Sequence, residues 1–573
     1  MDTTTRTGSL IDDRGRIFGR VNIIDAIVVI LVLAVGVAGA FIVTATVGSK
    51  TTPETGSLNV TIDAGTHPSY IVSQINEGDT YAPNGRSNIT IKDIYLSPEG
   101  GSSRVILRAE LHGRLSESRL MYNNAPPRLG RELGIYTNTY ELNGTLRNIG
   151  GDSSFNTSET TVQLLATLSA SDAQSLDSGD PVSVADRRVA TIDDVTIYDG
   201  GNPDQRIAYV TATLQTVGDG PEKSFGTTTL GQGTTITLPT DDVVLEGRIQ
   251  RVGTGLQRDT TQVVVDGTVS SETAAAINTG DTYRVAGSDV ATVTSVMAYG
   301  TDDPERKRVY VGLNLTTLQL GERPQFGQVT IREGATVPFQ TSEYVFSGTI
   351  QEVDNRLRVG TTQVLIQDTV DVTTATAIDE GDTYRVAGRT IATVESATAY
   401  GTNNPDRKRV YVGLNLTTLQ HGELPMFGTT AIREGVTVPF ETPEYSLGGT
   451  VQRVAATEQR GQATNRTVTL QLQDVSPNLA QTIRVGATET TAGTTVTRIT
   501  SVNRTSSSVI LTSQDGNIYE REHPVNLDIA FEANLSVRET TTGTTFKGNT
   551  IQRGSEIVLD LGDVTIRATV VSL

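Results

Sequence analysis

The feature that most constrains this chain is that it repeats itself. The segment GDTYRVAGSDVATVTSVMAYGTDDPERKRVYVGLNLTTLQ, beginning at Gly280, returns from Gly381 as GDTYRVAGRTIATVESATAYGTNNPDRKRVYVGLNLTTLQ, a displacement of 101 residues. One such step upstream lands on Gly179, where GDPVSVADRRVATIDDVTIYDGG keeps the pattern, and another lands on Gly78, which opens GDTYAPNGRSNITIKDIYL. Downstream, VGATETTAGTTVTRITSVNRT and IQRGSEIVLDLGDVTIRATVVSL read as a divergent last copy, as expected of a terminal unit in an array. A chain of 573 residues built this way is several small domains rather than one large core.

Within a unit, RVYVGLNLTTL, ATVESATAY, TVPFETPEY and GGTVQRV alternate or are rich in Val, Thr, Ile and Tyr, as strands are. Gly and Asn-Pro or Asp-Pro punctuate them, and GTNNPDRKR reads as a hairpin loop. SSETAAAINTG and TTATAIDEG are short helical candidates, with Ser or Thr to cap the start and Gly to follow the end. The expected fold is all-β with one short helix per unit: a small β-barrel or β-sandwich of six to eight strands, five times over. The expected units are 48–150, 151–253, 254–354, 355–455 and a divergent 456–573. No Pro- or Ser-rich insertion separates them, so they are expected to stack closely.

Ahead of the array, Ala26–Val43 is eighteen residues without a charge, and with its flanks it is long enough for a membrane-spanning helix over residues 21–47. Arg6, Arg14, Arg16 and Arg20 precede it, with only Lys50 close behind. The positive-inside rule then puts the segment 1–20 in the cytoplasm and the array outside, in a single-pass cell-membrane protein. A cleaved signal peptide is the competing reading; the long leading segment and long apolar run favour an uncleaved anchor. Nine Asn-X-Ser/Thr acceptors follow the anchor, at Asn59, Asn88, Asn143, Asn156, Asn314, Asn415, Asn465, Asn503 and Asn534, and are expected N-glycosylation positions.

Composition excludes more than it assigns. With no cysteine there is no disulfide scaffold, thiolate metal site or thiol nucleophile. The four histidines are scattered without ligand spacing, and no cofactor is expected. A formal charge of −19 disfavours nucleic acid as a partner and, with only six lysines among 46 basic residues, resembles proteins of salt-loving archaea. No phosphate-binding loop, nucleophile elbow or zinc-protease motif is present, so the chain reads as non-enzymatic.

Three recurrent features could carry function. Asp180, Asp281 and Asp382 follow the helix-ending glycine, with Asp79 in the first copy, fit for calcium or, more simply, for a turn. Arg306, Lys307 and Arg308 recur as Arg407, Lys408 and Arg409, fit for lipid head groups, a neighbouring subunit or solvent. LQLGERPQFG becomes LQHGELPMFG one unit later, and Phe225, Phe326 and Phe427 occupy one equivalent position before a glycine. With Leu320, Leu424 and Met426 these loops either project, lining a greasy path or an interface, or fold inward as core.

VAGRTIATVESA (Val386 to Ala397), RVYVGLNL and FGTTAIREGVTVPF together resemble the bacterial mammalian-cell-entry lipid-transport proteins, with Ala392 standing where that family has a second Gly in its motif. The resemblance implies one N-terminal anchor and β-barrel domains assembled as a homo-oligomeric ring or tube that binds or conducts membrane lipid, with transporter components as partners. GRIFGRVNIIDAIVVILVLAV resembles an uncharacterised membrane-protein family found in haloarchaea and cyanobacteria. The alternative, from a different functional class, is a structural stalk or adhesin linking the membrane to a surface layer.

Overall fold

The computed structural model describes residues 16–17, 21–22 and 54–573, apart from 219–221, 421, 492–493 and 515. The expected anchor at 21–47 lies outside these except for Val21–Asn22, a two-residue strand paired with Arg16–Ile17. Among the described residues no helix is long and apolar enough to cross a membrane.

The rest is five curled antiparallel sheets, one per repeat. The third repeat gives the plan: β1 (Arg258–Ser270), α1 (Ser271–Ala276), β2 (Thr282–Val285), β3 (Ser288–Gly300), β4 (Arg306–Leu318), β5 (Gln325–Phe326), β6 (Val329–Thr330), β7 (Thr336–Gln340) and β8 (Val345–Val353). The spatial order is β2-β3-β4-β1-β8-β7, with β5 and β6 continuing off β4. The same labels serve the corresponding elements of every repeat; the first has seven strands and the others eight.

Side-chain alternation builds the core. In β4, Val309, Val311, Leu313 and Leu315 are all at most 1% exposed, each contributing about 1.5–3 kcal/mol by burial. Phe339 of β7 and Tyr299 of β3 fill much of the remaining space. Bulges at equivalent places bend the strands: β1/β8 at Val264/Val265, β2/β3 at Tyr283/Arg284 and β3/β4 at Val293/Ser295, with counterparts in the fourth repeat at Leu365/Ile366, Tyr384/Arg385 and Val394/Ser396. The curl brings β2 alongside β7, with no hydrogen-bonded ladder between them among the described residues, so each repeat is an incompletely closed barrel.

The helices correct the expectation in detail. Ser270 caps Ser271–Ala276 by accepting from Thr273 N, but Val372–Ala377 is capped by Asp371, whose carboxylate accepts from Thr374 N. Gly280 and Gly381 do not follow the helix directly. Each stands four residues past its end at φ +95° and +96°, where the chain turns into β2.

By internal contacts the chain divides into two compact units. One holds the chain up to Gly65 with Gln74–Tyr95 and Val105–Phe155; the other holds Thr66–Ser73, Leu96–Arg104 and Asn156–Leu573. Repeats two to five from Asn156 onward, and the three joints between them, lie in the second.

Candidate functional site

The recurrent aspartates are turn residues in each of the first four repeats; the fifth has Ala487 at that position. Asp281 Oδ2 accepts from Asn278 N at 2.8 Å and from the Tyr344 hydroxyl at 2.6 Å. Asp382 does the same with Asp379 N at 2.9 Å and Tyr445 at 2.6 Å, and Asp79 with Asn76 N and Tyr140 at 2.9 and 2.5 Å. Asp180 keeps the turn bond, to Asp177 N at 2.9 Å, with Val243 in the tyrosine's place. Burial and the adjacent carboxylate push the Tyr140, Tyr344 and Tyr445 phenols up, so they stay neutral donors. The described residues hold no group of acidic or histidine side chains placed to bind a metal.

The basic triplets are likewise engaged within the chain. Arg308 pairs with Asp266, Arg306 donates to Thr268 O at 2.9 Å and Lys307 to Pro304 O at 2.7 Å. In the next repeat Arg407 donates to Thr369 O, and Lys408 pairs with Asp560 of the repeat after it.

The aromatic loops carry the most informative geometry. Phe225, Phe326 and Phe427 are 5%, 4% and 5% exposed, so none projects. Phe326 packs edge-on against Tyr198 of the preceding repeat at 5.2 Å between centroids, and Phe427 against Tyr299, also at 5.2 Å. The same tyrosines donate across the joint: Tyr198 to Thr316 O at 2.8 Å, and Tyr299 to Thr417 O at 3.0 Å. A second pair repeats the offset, Tyr209 to Gly327 O at 3.0 Å and Tyr310 to Gly428 O at 3.1 Å. Within each pair the rings meet at 6.1 Å (Tyr198–Tyr209) and 6.0 Å (Tyr299–Tyr310), near-perpendicular as aromatic quadrupoles prefer.

Glycine after the phenylalanine is a requirement of the joint. Gly327 and Gly428 have φ of +56° and +60°, and a Cβ on them would come within 3.2 Å of Tyr198 Cβ and 3.3 Å of Tyr299 Cβ. All four tyrosine links join residues 118 apart in sequence, so the two joints share this tyrosine construction.

The joint between repeats four and five has a different chemistry. Phe546 takes the place of Phe427, and Lys547, at φ +55°, takes the place of Gly428. Its ammonium meets Glu489 Oε1 at 2.6 Å and Val558 O at 2.7 Å, with the two side chains 7% and 2% exposed. Glu489, standing where repeat four has Tyr384, also accepts from Gly401 N at 3.2 Å, and Lys408–Asp560 lies beside it. Burial lowers the Lys547 pKa, with Glu489 opposing the shift.

The other expected residues scatter. Leu320 is half-buried and its carbonyl accepts from Arg251 at 2.6 Å; Leu424 is 47% exposed. Half-buried Met426 lines a cavity of about 260 Å³ with Val264, Tyr310, Leu357, Leu419 and Arg308. A wider cleft of about 920 Å³ lies beside Asp199, Arg206, Tyr283 and Tyr344, where both phenols are already bonded to aspartates, Tyr283 to Asp199 and Tyr344 to Asp281. Among the acceptors, Asn143, Asn156, Asn465 and Asn503 are exposed, while Asn59, Asn88 and Asn534 are partly buried. Asn314 and Asn415 sit mid-strand with buried side-chain oxygens.

Sequence reasoning passed over the joint tyrosines, although Tyr198, Tyr299 and Tyr400 recur at the repeat spacing, as do Tyr209, Tyr310 and Tyr411. Residues 9–150, which take in the N-terminal apolar segment and the first repeat, match the model of a family described as a domain of unknown function, DUF4330. No curated protein matches the chain.

Proposed function

We propose that this chain is a membrane-tethered structural stalk, a non-enzymatic array of β-domains held outside the cytoplasm by an N-terminal span. The observation that carries the reading is the joint: repeats two and three, and again three and four, share two tyrosine-to-carbonyl bonds and one aromatic contact between equivalent residues. A conducting path needs apolar side chains facing its lumen. Here the three phenylalanines best suited to that role are buried, two of them under tyrosines of the preceding repeat, where they resist bending between domains. Arg6, Arg14, Arg16 and Arg20 ahead of the apolar run support the orientation.

Fractionation of cells expressing the full chain, with and without residues 1–47, tests the tether. The full chain is expected in alkali-washed membranes, cleaved by external protease, and the shortened chain in the soluble fraction. Recovery of the full chain in the soluble fraction refutes it. The second reading, a lipid carrier of the mammalian-cell-entry type, is favoured by the Met426 cavity. Copurification of stoichiometric lipid with a closed oligomer of the detergent-extracted chain would put it first.

A further inference from the structure

The last repeat carries a surface that its siblings lack. Its β3 and β4, Thr494–Thr512 and Ile518–Thr540, run 19 and 23 residues, against 13 each for Arg389–Gly401 and Arg407–Leu419. Beyond Ser506↔Leu527 they continue as a two-stranded ribbon from Ser508↔Glu522 to Thr512↔Ile518. Among the described residues neither outer edge of the ribbon has a partner: Thr488–Thr491 pairs only with Thr494–Arg498, and the pairing of Gln462–Val475 ends at Leu527. Yet Ile510, Leu511, Ile518 and Tyr519 are 68%, 48%, 71% and 50% exposed. An isolated hairpin of this kind is marginal in water and its open edge is a template for another strand. The joint tyrosines are also gone, with Thr505 and Ala530 at the register positions of Tyr400 and Tyr411, so this end is not built to receive a sixth repeat in the same way.

The two edges differ. Along Ile518–Asn526 stand Glu520, Arg521, Glu522 and Pro524, residues that block strand addition. Along Thr505–Thr512 the sequence TSSSVILT has neither charge nor proline. Ser513 N donates to Asn517 O at 2.9 Å where the ribbon closes. Antiparallel alternation from that pair turns the N–H and C=O of Thr512, Ile510 and Ser508 outward.

We propose that this edge pairs with the same edge of a second copy of the chain, antiparallel about a two-fold axis at Ile510. That register sets Ile510 against itself, Val509 against Leu511 and Ser508 against Thr512, with no charge opposed and every outward amide satisfied. On one face Tyr519, paired with Leu511 in its own ribbon, joins Val509 of the other copy in an apolar row across three strands, which ends on Arg521, the partner of Val509 in its own ribbon. A contact of five residues per strand is smaller than the roughly 800 Å² per partner of a standard interface, so the association is weak and concentration-dependent. Isologous pairing closes at two copies and does not propagate.

The chain has no cysteine, so Ile510→Cys supplies its only thiol. Two such residues opposed in a hydrogen-bonded pair have Cα atoms about 5.5 Å apart, inside the disulfide range of about 4.4–6.8 Å. The full chain in detergent, oxidised with diamide across a concentration series, is expected to give a disulfide dimer for Ile510→Cys at least fivefold more abundant than for Glu520→Cys on the blocked edge. Ile510→Lys is expected to lower the native dimer fraction by a similar factor while leaving the far-ultraviolet circular dichroism unchanged. Equal cross-linking from both edges, or an Ile510→Cys chain that stays monomeric at every concentration, overturns the proposal. So does protection of the Ile510→Cys thiol from a polar maleimide by phosphatidylglycerol vesicles without any dimer, which would assign the edge to lipid.

Discussion

Replacing Tyr299 by phenylalanine removes one oxygen from the joint between repeats three and four and leaves the ring. That oxygen donates to Thr417 O at 3.0 Å, while the ring, 1% exposed, packs on Tyr310 and Phe427. A net hydrogen bond of this kind contributes about 1 kcal/mol, close to a factor of 5 in an opening equilibrium. Tyr299→Ala removes the ring as well, and a buried aromatic truncated to alanine costs about 3–5 kcal/mol. Hydrogen exchange read by mass spectrometry separates core from joint, because β4 of repeat four, Arg407–Leu419, contains the acceptor but not the mutation. Tyr299→Phe is expected to speed exchange about fivefold in peptides around Thr417 with little change in the rest of repeat three. If exchange rises within repeat three alone, Tyr299 is an ordinary core residue and the coupling between repeats is refuted.

The buried pair in the last joint predicts an asymmetry: Lys547→Met alone, leaving Glu489 without its cation, should destabilise repeat five by about 3–5 kcal/mol, whereas Glu489→Gln with Lys547→Met should recover most of it. Urea unfolding followed by exchange in Glu556–Asp560 measures both, and equal losses would contradict the role of the pair. The buried phenols set an alkaline limit: Tyr198, Tyr209, Tyr299, Tyr310, Tyr344 and Tyr445 all titrate above their unfolded value near 10. The stability they confer is therefore complete below about pH 10 and is lost as the pH rises toward their folded values, the reverse of the sign for Lys547. Melting curves above pH 9 test this, and a melting point flat to pH 12 would refute it. In a host that glycosylates exported proteins, glycans are expected at Asn156, Asn465 or Asn503 and not at Asn314 or Asn415. A mass shift on a peptide carrying either of the last two would show that β4 opens.

Some of this was legible before any coordinates. The phenylalanine loops stood out because apolar residues recur in a segment otherwise built like a turn, yet the pattern fitted projection and burial equally well. The recurrent aspartates were seen as turn residues, but the tyrosines that tether them, Tyr344 for Asp281 and Tyr445 for Asp382, lie 63 residues away and gave no local sign. Lys547 was invisible as a joint residue, since nothing in FKGN shows that its ammonium will be buried against a glutamate 58 residues upstream. The long hairpin did leave a trace: the displacement between repeats four and five grows from 105 residues at Gly381/Gly486 to 119 at Phe427/Phe546.

What the sequence determined by itself was the period, the number of units, their β character and the short helix in each, because alternation, turn residues and caps act over a few neighbouring positions. Which tyrosine meets which phenylalanine, which strand edge stays open and which charges are buried were decided only in three dimensions. Those contacts join residues 58 to 152 apart, and their energies depend on how the sheet curls and where the next repeat comes to rest against it.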